Sequence, residues 1–265
     1  MDKIGIVGLG NMGEAMVKAL LKSGLKRESI LCSEIKPDRA RQIESAYKVK
    51  LTGVEELVKK TRYIILAIKP QDSKKLLSVI APFINESKVV VSIMAGITIA
   101  NITSSLGKPV KIVRTMPNIC AKVAEGAIGI TSNSLVEKKD METVAALMSS
   151  LGKTIEVGED LMDPVTALGG SGPAFFLLFL ESVIDAGVKM GFTRDKSKAI
   201  CTQVVKGTLK MLEEEGLHPT LMREMVTSPA GTTITGLAVL EENAFKGNIM
   251  KALEAAAKRA RELSL

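Results

Sequence analysis

The chain opens with short, unbroken apolar runs separated by stretches in which apolar residues recur every three or four positions. The runs "KIGIVGLG" (3–10), "SILCSE" (29–34), "RYIILAIKP" (62–70), "KVVVSIMAG" (88–96) and "VKIVRTMPN" (110–118) include several that are nearly continuous in Val and Ile. Strands buried on both faces of a parallel sheet read this way, so five such strands are expected. Between them, "MGEAMVKALLKSG" (12–24) and "PQDSKKLLSVIAPF" (70–83) carry helical periodicity, the first closing at Gly24 as a C-terminal cap. Strand and helix alternating in this way predict a doubly wound α/β domain over residues 1–159.

Beyond Gly158 the pattern changes and no further strand is expected. The segment "DLMDPVTALGGSGPAFFLLFLESVIDAGVKMGF" (160–192) reads as a long helix disturbed in its middle by Gly169, Gly170, Gly172 and Pro173. "RDKSKAICTQVVKGTLKMLEEEG" (194–216) is an amphipathic helix of about six turns, and "NAFKGNIMKALEAAAKRARELSL" (243–265) is another. Residues 160–265 therefore form an all-helical second domain. On its first helix Phe175, Phe176, Leu178, Phe179, Ile184 and Val188 occupy most of the circumference. A helix apolar nearly all round has to be buried. In so small a domain that predicts helices from a second copy of the chain.

Composition narrows the classes. With 265 residues and 46% apolar content the chain can bury a sizeable core. The longest apolar candidate for a membrane span is interrupted by Glu181 and Asp185, and the N-terminal apolar stretch is too short and glycine-rich for a secretory signal. A cytoplasmic protein without a membrane partner is expected. Cys32, Cys120 and Cys201 are odd in number and show no paired spacing, so neither a disulfide framework nor a zinc site follows. Packed free thiols are expected. The single histidine, His218, cannot build a metal cluster, and it precedes Pro219 as at a turn or helix start. The net charge of +7 is spread among acidic residues and aromatics make up only 3%. That argues against nucleic acid and suits an anionic cofactor or substrate.

The chemistry begins with Gly8-Leu9-Gly10-Asn11-Met12-Gly13, a G-x-G-x-x-G that follows the first apolar strand and opens a helix. In a dinucleotide-binding, Rossmann-type domain Gly8 makes the tight turn. Gly10 admits the pyrophosphate to the backbone, and Gly13 lets helix and strand pack closely. The helix N-terminal amides then face the phosphates. Val7, Leu9, Asn11 and Met12 belong to the same turn. The second strand ends at "CSEIKPDRAR". There Glu34 suits the ribose hydroxyls of NAD, whereas Ser33, Lys36 and Arg39 suit a 2′-phosphate. Both cofactors stay open at this point. Ala67, Lys69 and Pro70 after the third strand, and Ala95-Gly96 after the fourth, are placed to line the cofactor groove beyond the strand ends.

"SPAGTTITGL" (228–237) packs small hydroxyls and bare backbone into ten uncharged residues. Together with "GIVGLGNMG", "AIKPQ", "MAGIT", "MPN", "ALGGSGPAFFLLFLESVIDAGVKMGF", "LEENAF" and "RARELS", in this order over almost the whole chain, it resembles the pyrroline-5-carboxylate reductase family. The glycine turn is generic, while the G-S-G-P-A and S-P-x-G-T-T segments are specific. The resemblance implies hydride transfer from NADPH, with NADH as an alternative, to a cyclic imine carrying a carboxylate, giving L-proline. It implies that Ser228, Gly231, Thr232 and Thr233 hold the substrate, with amides around Gly231 to Thr233 on the carboxylate and the Thr233 hydroxyl on the ring nitrogen as the catalytic contact. Glu159, in "GEDLMDP", matches a position near the substrate. It further implies a homodimer with intertwined helical domains, extending in some members to a ring of dimers. The sequence departs from the family pattern at Ala230, where Gly is common, and at Val54, Met225 and Glu34. Together these departures bear on cofactor preference rather than on the reaction. β-Hydroxyacid dehydrogenases share the glycine turn and a helical second half, but they carry a catalytic Lys in a glycine-rich helix. "GGSGPAFFLLF" has none.

Overall fold

The structure is a computed structural model and describes residues 2–263. In chain order the first half runs β1 (Ile4–Val7), α1 (Asn11–Lys22), β2 (Ile30–Ser33), α2 (Pro37–Tyr47), β3 (Lys50–Leu51), α3 (Val54–Lys60), β4 (Tyr63–Leu66), α4 (Ser73–Ile80), β5 (Val89–Ser92), α5 (Ile99–Leu106), β6 (Lys111–Met116), β7 (Gly126–Ser132), α6 (Lys138–Ser149) and β8 (Gly152–Glu156). The strands form one sheet in the order β3-β2-β1-β4-β5-β6-β7-β8, parallel throughout except where β7 runs antiparallel to β6. β1, β2, β4 and β5 are buried at every position, which is why they read as unbroken apolar runs. One apolar layer, including Ile6, Met16, Leu20, Ile65 and Val113, covers one face, and another, including Leu57, Ile64, Leu77, Val90 and Ile102, covers the other.

All five expected strands are present. Three more, β3, β7 and β8, were not anticipated. β3 has only two residues, β7 ("GAIGITS") carries two glycines, and β8 ("GKTIE") is a largely exposed edge strand with charges at both ends. None has the Val/Ile density that marked the others. α1 ends at Lys22, with Ser23 as its cap and Gly24 following at φ +93°.

The second half runs α7 (Met162–Val165), α8 (Gly172–Lys189), α9 (Arg194–Glu215), α10 (Pro219–Met225), α11 (Thr232–Glu242) and α12 (Phe245–Leu263). The glycines at 169–172 do not break the helix. They form a π-type stretch, Thr166–Ser171, that joins α7 to α8. Its widened turn is held from outside, where the Asn118 side chain donates to the Gly169 carbonyl at 3.0 Å. The resulting helical run, Glu159–Lys189, is 31 residues long and apolar enough, by length and composition, to cross a membrane. Glu181 and Asp185 lie within this run. The chain divides into two compact units, one reaching Ser171 and including the end of α12 from Ala255, the other Gly172–Glu254. Within the second, α8 packs on α9 through Gly187, where a Cβ would lie 2.1 Å from Ser197 Oγ. Ser197 Oγ in turn donates to the Ile184 carbonyl at 2.8 Å. Yet Phe176, Leu177, Leu178, Ile200, Val204 and Leu209 are exposed. A soluble monomer rarely carries so much uncovered apolar surface.

Candidate functional site

β1 delivers the chain to the glycine turn at the switch point of the sheet, between β2 and β4. Gly8 takes φ +90°, and a Cβ there would meet the Ala67 carbonyl oxygen at 2.7 Å. A Cβ on Gly13 would sit 2.0 Å from the Gly8 carbonyl oxygen. Gly10 is different, with no atom within 4 Å of a Cβ built on it. The space is open on the side from which a ligand would approach. Gly10 also caps α1 without any side-chain hydrogen bond, and the first helical bond runs from Glu14 N–H to the Gly10 carbonyl at 2.9 Å. The amides of Asn11, Met12 and Gly13 precede that bond and lack intrahelical acceptors. An uncapped helix end beside open space at a bare glycine fits a diphosphate. Val7 and Leu9 are buried beneath the turn, and Met12 packs on the core.

The end of β2 braces the same turn. Glu34 accepts from Leu9 N–H at 2.7 Å through one carboxylate oxygen and from Lys36 N–H at 3.0 Å through the other. Arg39 Nε donates to the Leu9 carbonyl at 2.7 Å, and the rest of its guanidinium pairs with Glu14 and Gln42. The Arg39 hydrogen bond holds the Glu14 carboxyl below the usual carboxylate range against the raising effect of burial, and Tyr47 adds to it. Glu14 would otherwise place an unpaired negative charge in the first turn of α1. Arg39 is thus committed to the glycine turn and to Glu14, and Ser33 is buried in β2. Lys36 stays exposed as the cap of α2.

Ala67 and Pro70 are half-buried after β4, and Lys69 is exposed. Ala67 N–H donates to the Val7 carbonyl at 2.8 Å, so this loop and the glycine turn are tied together. Ala95 and Gly96 lie between β5 and α5, with Gly96 at φ +75°. Glu159 follows β8. Its Oε1 accepts from Ile99 N–H at 2.7 Å and from the buried Arg114 at 3.3 Å. The partners of Glu159 come from β6 and the start of α5, 45 and 60 residues away along the chain, so no local pattern announced them. Thr115 to Asn118, at the end of the fifth strand, were expected to reach the site, whereas Arg114 had not been singled out for it. Its one signal was polarity inside an otherwise apolar strand.

In the helical unit the SPAGTT segment turns directly into α11. Gly231 N–H donates to the Ser228 carbonyl at 3.1 Å, and Ala230 occupies the left-handed region at φ +56°. Gly231 caps α11 with no side-chain hydrogen bond, and a Cβ there would collide with Ser228 Oγ at 2.2 Å. Thr232 and Thr233 are therefore the first two helical residues, and their amides precede the first helical bond, from Thr235 N–H to the Gly231 carbonyl at 3.3 Å. His218 caps α10, with its Nδ1 accepting from Thr220 N–H at 3.3 Å. Of the thiols, Cys32 is fully buried, and burial pushes it up to about 12.

Residues 159–263 match the family model described as pyrroline-5-carboxylate reductase dimerisation, and residues 3–96 match the one described as NADP oxidoreductase coenzyme F420-dependent. The chain is 36% identical over 264 residues to a pyrroline-5-carboxylate reductase of Methanosarcina acetivorans, covering 99% of this chain and 98% of the relative. It is 35% identical to pyrroline-5-carboxylate reductase 2 of Bacillus subtilis, covering 99% and 95%. Among solved structures, a pyrroline-5-carboxylate reductase from Coxiella burnetii superposes with a TM-score of 0.94 at 31% identity, covering 100% and 99% of the two chains. A Plasmodium falciparum pyrroline carboxylate reductase with NADP bound superposes with a TM-score of 0.90 at 33% identity, covering 100% and 98%. With more than a third of its residues shared over the full length of a named relative, the chain belongs to the pyrroline-5-carboxylate reductase family.

Proposed function

We propose that the chain reduces 1-pyrroline-5-carboxylate to L-proline with NADPH, accepting NADH as a second donor, as a cytoplasmic homodimer. The cofactor, when bound, supplies the hydride to the imine carbon. The chain's own residues do the placing. Gly8 to Gly13 and the start of α1 hold the diphosphate, while Ala67 to Pro70 and Ala95-Gly96 line the groove toward the nicotinamide. At the start of α11 the amides of Gly231 to Thr233 take the substrate carboxylate, and Ser228 shapes the turn that presents them. The Thr233 hydroxyl hydrogen-bonds the ring nitrogen and keeps its proton in place while the neighbouring carbon is reduced.

The observation that carries this reading is the uncapped start of α11 behind Ser228-Pro229, in a chain alike over its whole length to named reductases. The apolar faces of α8 and α9 support the dimer, since a partner's helices cover them where a lipid would otherwise be required. The helical domains intertwine, and the dimers assemble further into a ring. The test is nicotinamide absorbance followed with NADPH and with NADH, with and without the imine. Oxidation that depends on the imine supports the reading, and no turnover with either cofactor removes it. Light scattering on the eluting protein reads the assembly, with twice the chain mass for a dimer and a larger even multiple for the ring.

A further inference from the structure

We propose that Glu159 is a positioning residue for the cofactor-lining loop between β5 and α5, acting through the Ile99 amide and the Arg114 guanidinium, rather than a substrate contact. The inference rests on the reading that this crevice receives the nicotinamide cofactor. Ile99 is the first residue of α5, so its amide has no acceptor within the helix. The Thr98 side chain caps the helix by accepting from Asn101 N–H at 3.0 Å, which leaves the Ile99 amide to Glu159. Arg114 lies on β6 in register with Ser92, the last residue of β5, and its side chain is 4% exposed. Its guanidinium reaches Glu159 Oε1 at 3.3 Å and Asp163 Oδ1 at 3.8 Å. A buried cation in register with the end of β5 thus holds the Glu159 carboxylate against the start of α5, the helix that follows Ala95 and Gly96.

Within residues 93–97 the other holds are longer. Ile93 N–H reaches the Leu66 carbonyl at 3.2 Å, Met94 N–H reaches Ser92 Oγ at 3.3 Å, and Ile97 N–H reaches the Met94 carbonyl at 3.4 Å. The Glu159 bond is shorter, at 2.7 Å, and its acceptor is charged. Hydrogen bonds to an ionised group are about twice as strong as neutral ones. Glu159 is therefore the firmest anchor among these. Without it the loop slackens at Gly96, where φ is +75° and the chain has most freedom.

The test measures NADPH binding directly, by nicotinamide fluorescence, alongside separate KM values for NADPH and for the imine. Glu159→Ala is expected to weaken NADPH binding about tenfold and to leave the imine KM at saturating NADPH unchanged. Glu159→Gln, whose neutral amide oxygen still accepts from Ile99 N–H, is expected to recover part of that affinity. Should the Ala variant fail to fold, Glu159→Asp keeps the charge facing Arg114 but shortens the reach to Ile99, and it is expected to weaken NADPH binding in the same way. Wild-type NADPH affinity in both Glu159→Ala and Glu159→Asp overturns the proposal. So does a raised imine KM with cofactor affinity intact, which puts the carboxylate on the substrate. Wild-type protein that binds no NADPH overturns the reading of the crevice itself, and this shows before any variant is compared.

Discussion

At the scale of single residues, the three glycines of the turn do different work, and two substitutions separate them. Val at position 13 drives a side chain into the Gly8 carbonyl, backbone that cannot step aside. Gly13→Val is expected to lose about 2–3 kcal/mol of stability, read by thermal or urea unfolding. A Cβ at position 10 meets no protein atom within 4 Å. Gly10→Val is expected to unfold at the wild-type temperature yet fail to bind NADPH in a fluorescence titration. Thr233→Ala tests the start of α11. It is expected to lower turnover roughly tenfold or more with NADPH affinity unchanged, and unchanged turnover would remove the hydroxyl from the mechanism. Glu34 grips Leu9 N–H and Lys36 N–H through its two carboxylate oxygens; on the proposal that the adenosine end of the cofactor binds here, it would accept ribose hydroxyls and repel a 2′-phosphate. Glu34→Ser is expected to raise the ratio of kcat/KM for NADPH over NADH about tenfold. A ratio that stays put would show that the carboxylate does not face the ribose.

Among elements, the clamp opposite the crevice is Asp140, in the first turn of α6. It is buried, and it accepts from Arg62 at 2.7 Å, Tyr63 at 2.9 Å and Lys111 at 2.9 Å. Tyr63 and Lys111 begin β4 and β6, and Arg62 directly precedes β4, so one carboxylate ties α6 to the N-terminal ends of two strands. Burial acts to raise its pKa, but the hydrogen bonds from Lys111, Arg62 and Tyr63 together outweigh it and hold the carboxyl below the usual range. A depressed folded-state value means that the stabilisation is complete above the unfolded value of about 4 and fades as the pH falls through the lower folded value. Asp140→Asn is expected to cost about 3 kcal/mol at pH 7, measured by urea unfolding at fixed protein concentration. The gap from wild type should narrow as the pH falls below the unfolded value of about 4. The sequence showed Asp140 only as one acid among many. Its three partners are 29 to 78 residues away along the chain.

For the whole molecule, the helical half is the part that a single copy leaves incomplete. α8 and α9 keep large apolar side chains uncovered, with Phe176 at 76% exposure. If each site combines the glycine turn of one protomer with the SPAGTT segment of its neighbour, two inactive variants can complement one another. Gly10→Val and Thr233→Ala, unfolded together and refolded at equal amounts, are expected to regain about a quarter of wild-type activity, because half of randomly paired dimers are mixed and each holds one intact site. No recovery would place both halves of the site in one protomer.

What the sequence determined alone was whatever depends on neighbours along the chain. The Val/Ile runs marked the strands buried on both faces. The glycine spacing marked the turn into α1, and the Ser-Pro and threonine run marked the start of α11, because backbone conformation and helix capping are settled within a few residues. Tertiary structure decided the rest. It recruited the glycine-bearing β7 and the exposed edge β8, whose places come from strand pairing rather than apolar patterning. It carried the helix through Gly169 and Gly170 as a π stretch, because Asn118 supplied a partner for the Gly169 carbonyl. It also turned Arg39 toward the glycine turn and Glu159 toward Arg114 and Ile99. Charged side chains choose partners by distance in space, and only the assembled sheet sets those distances.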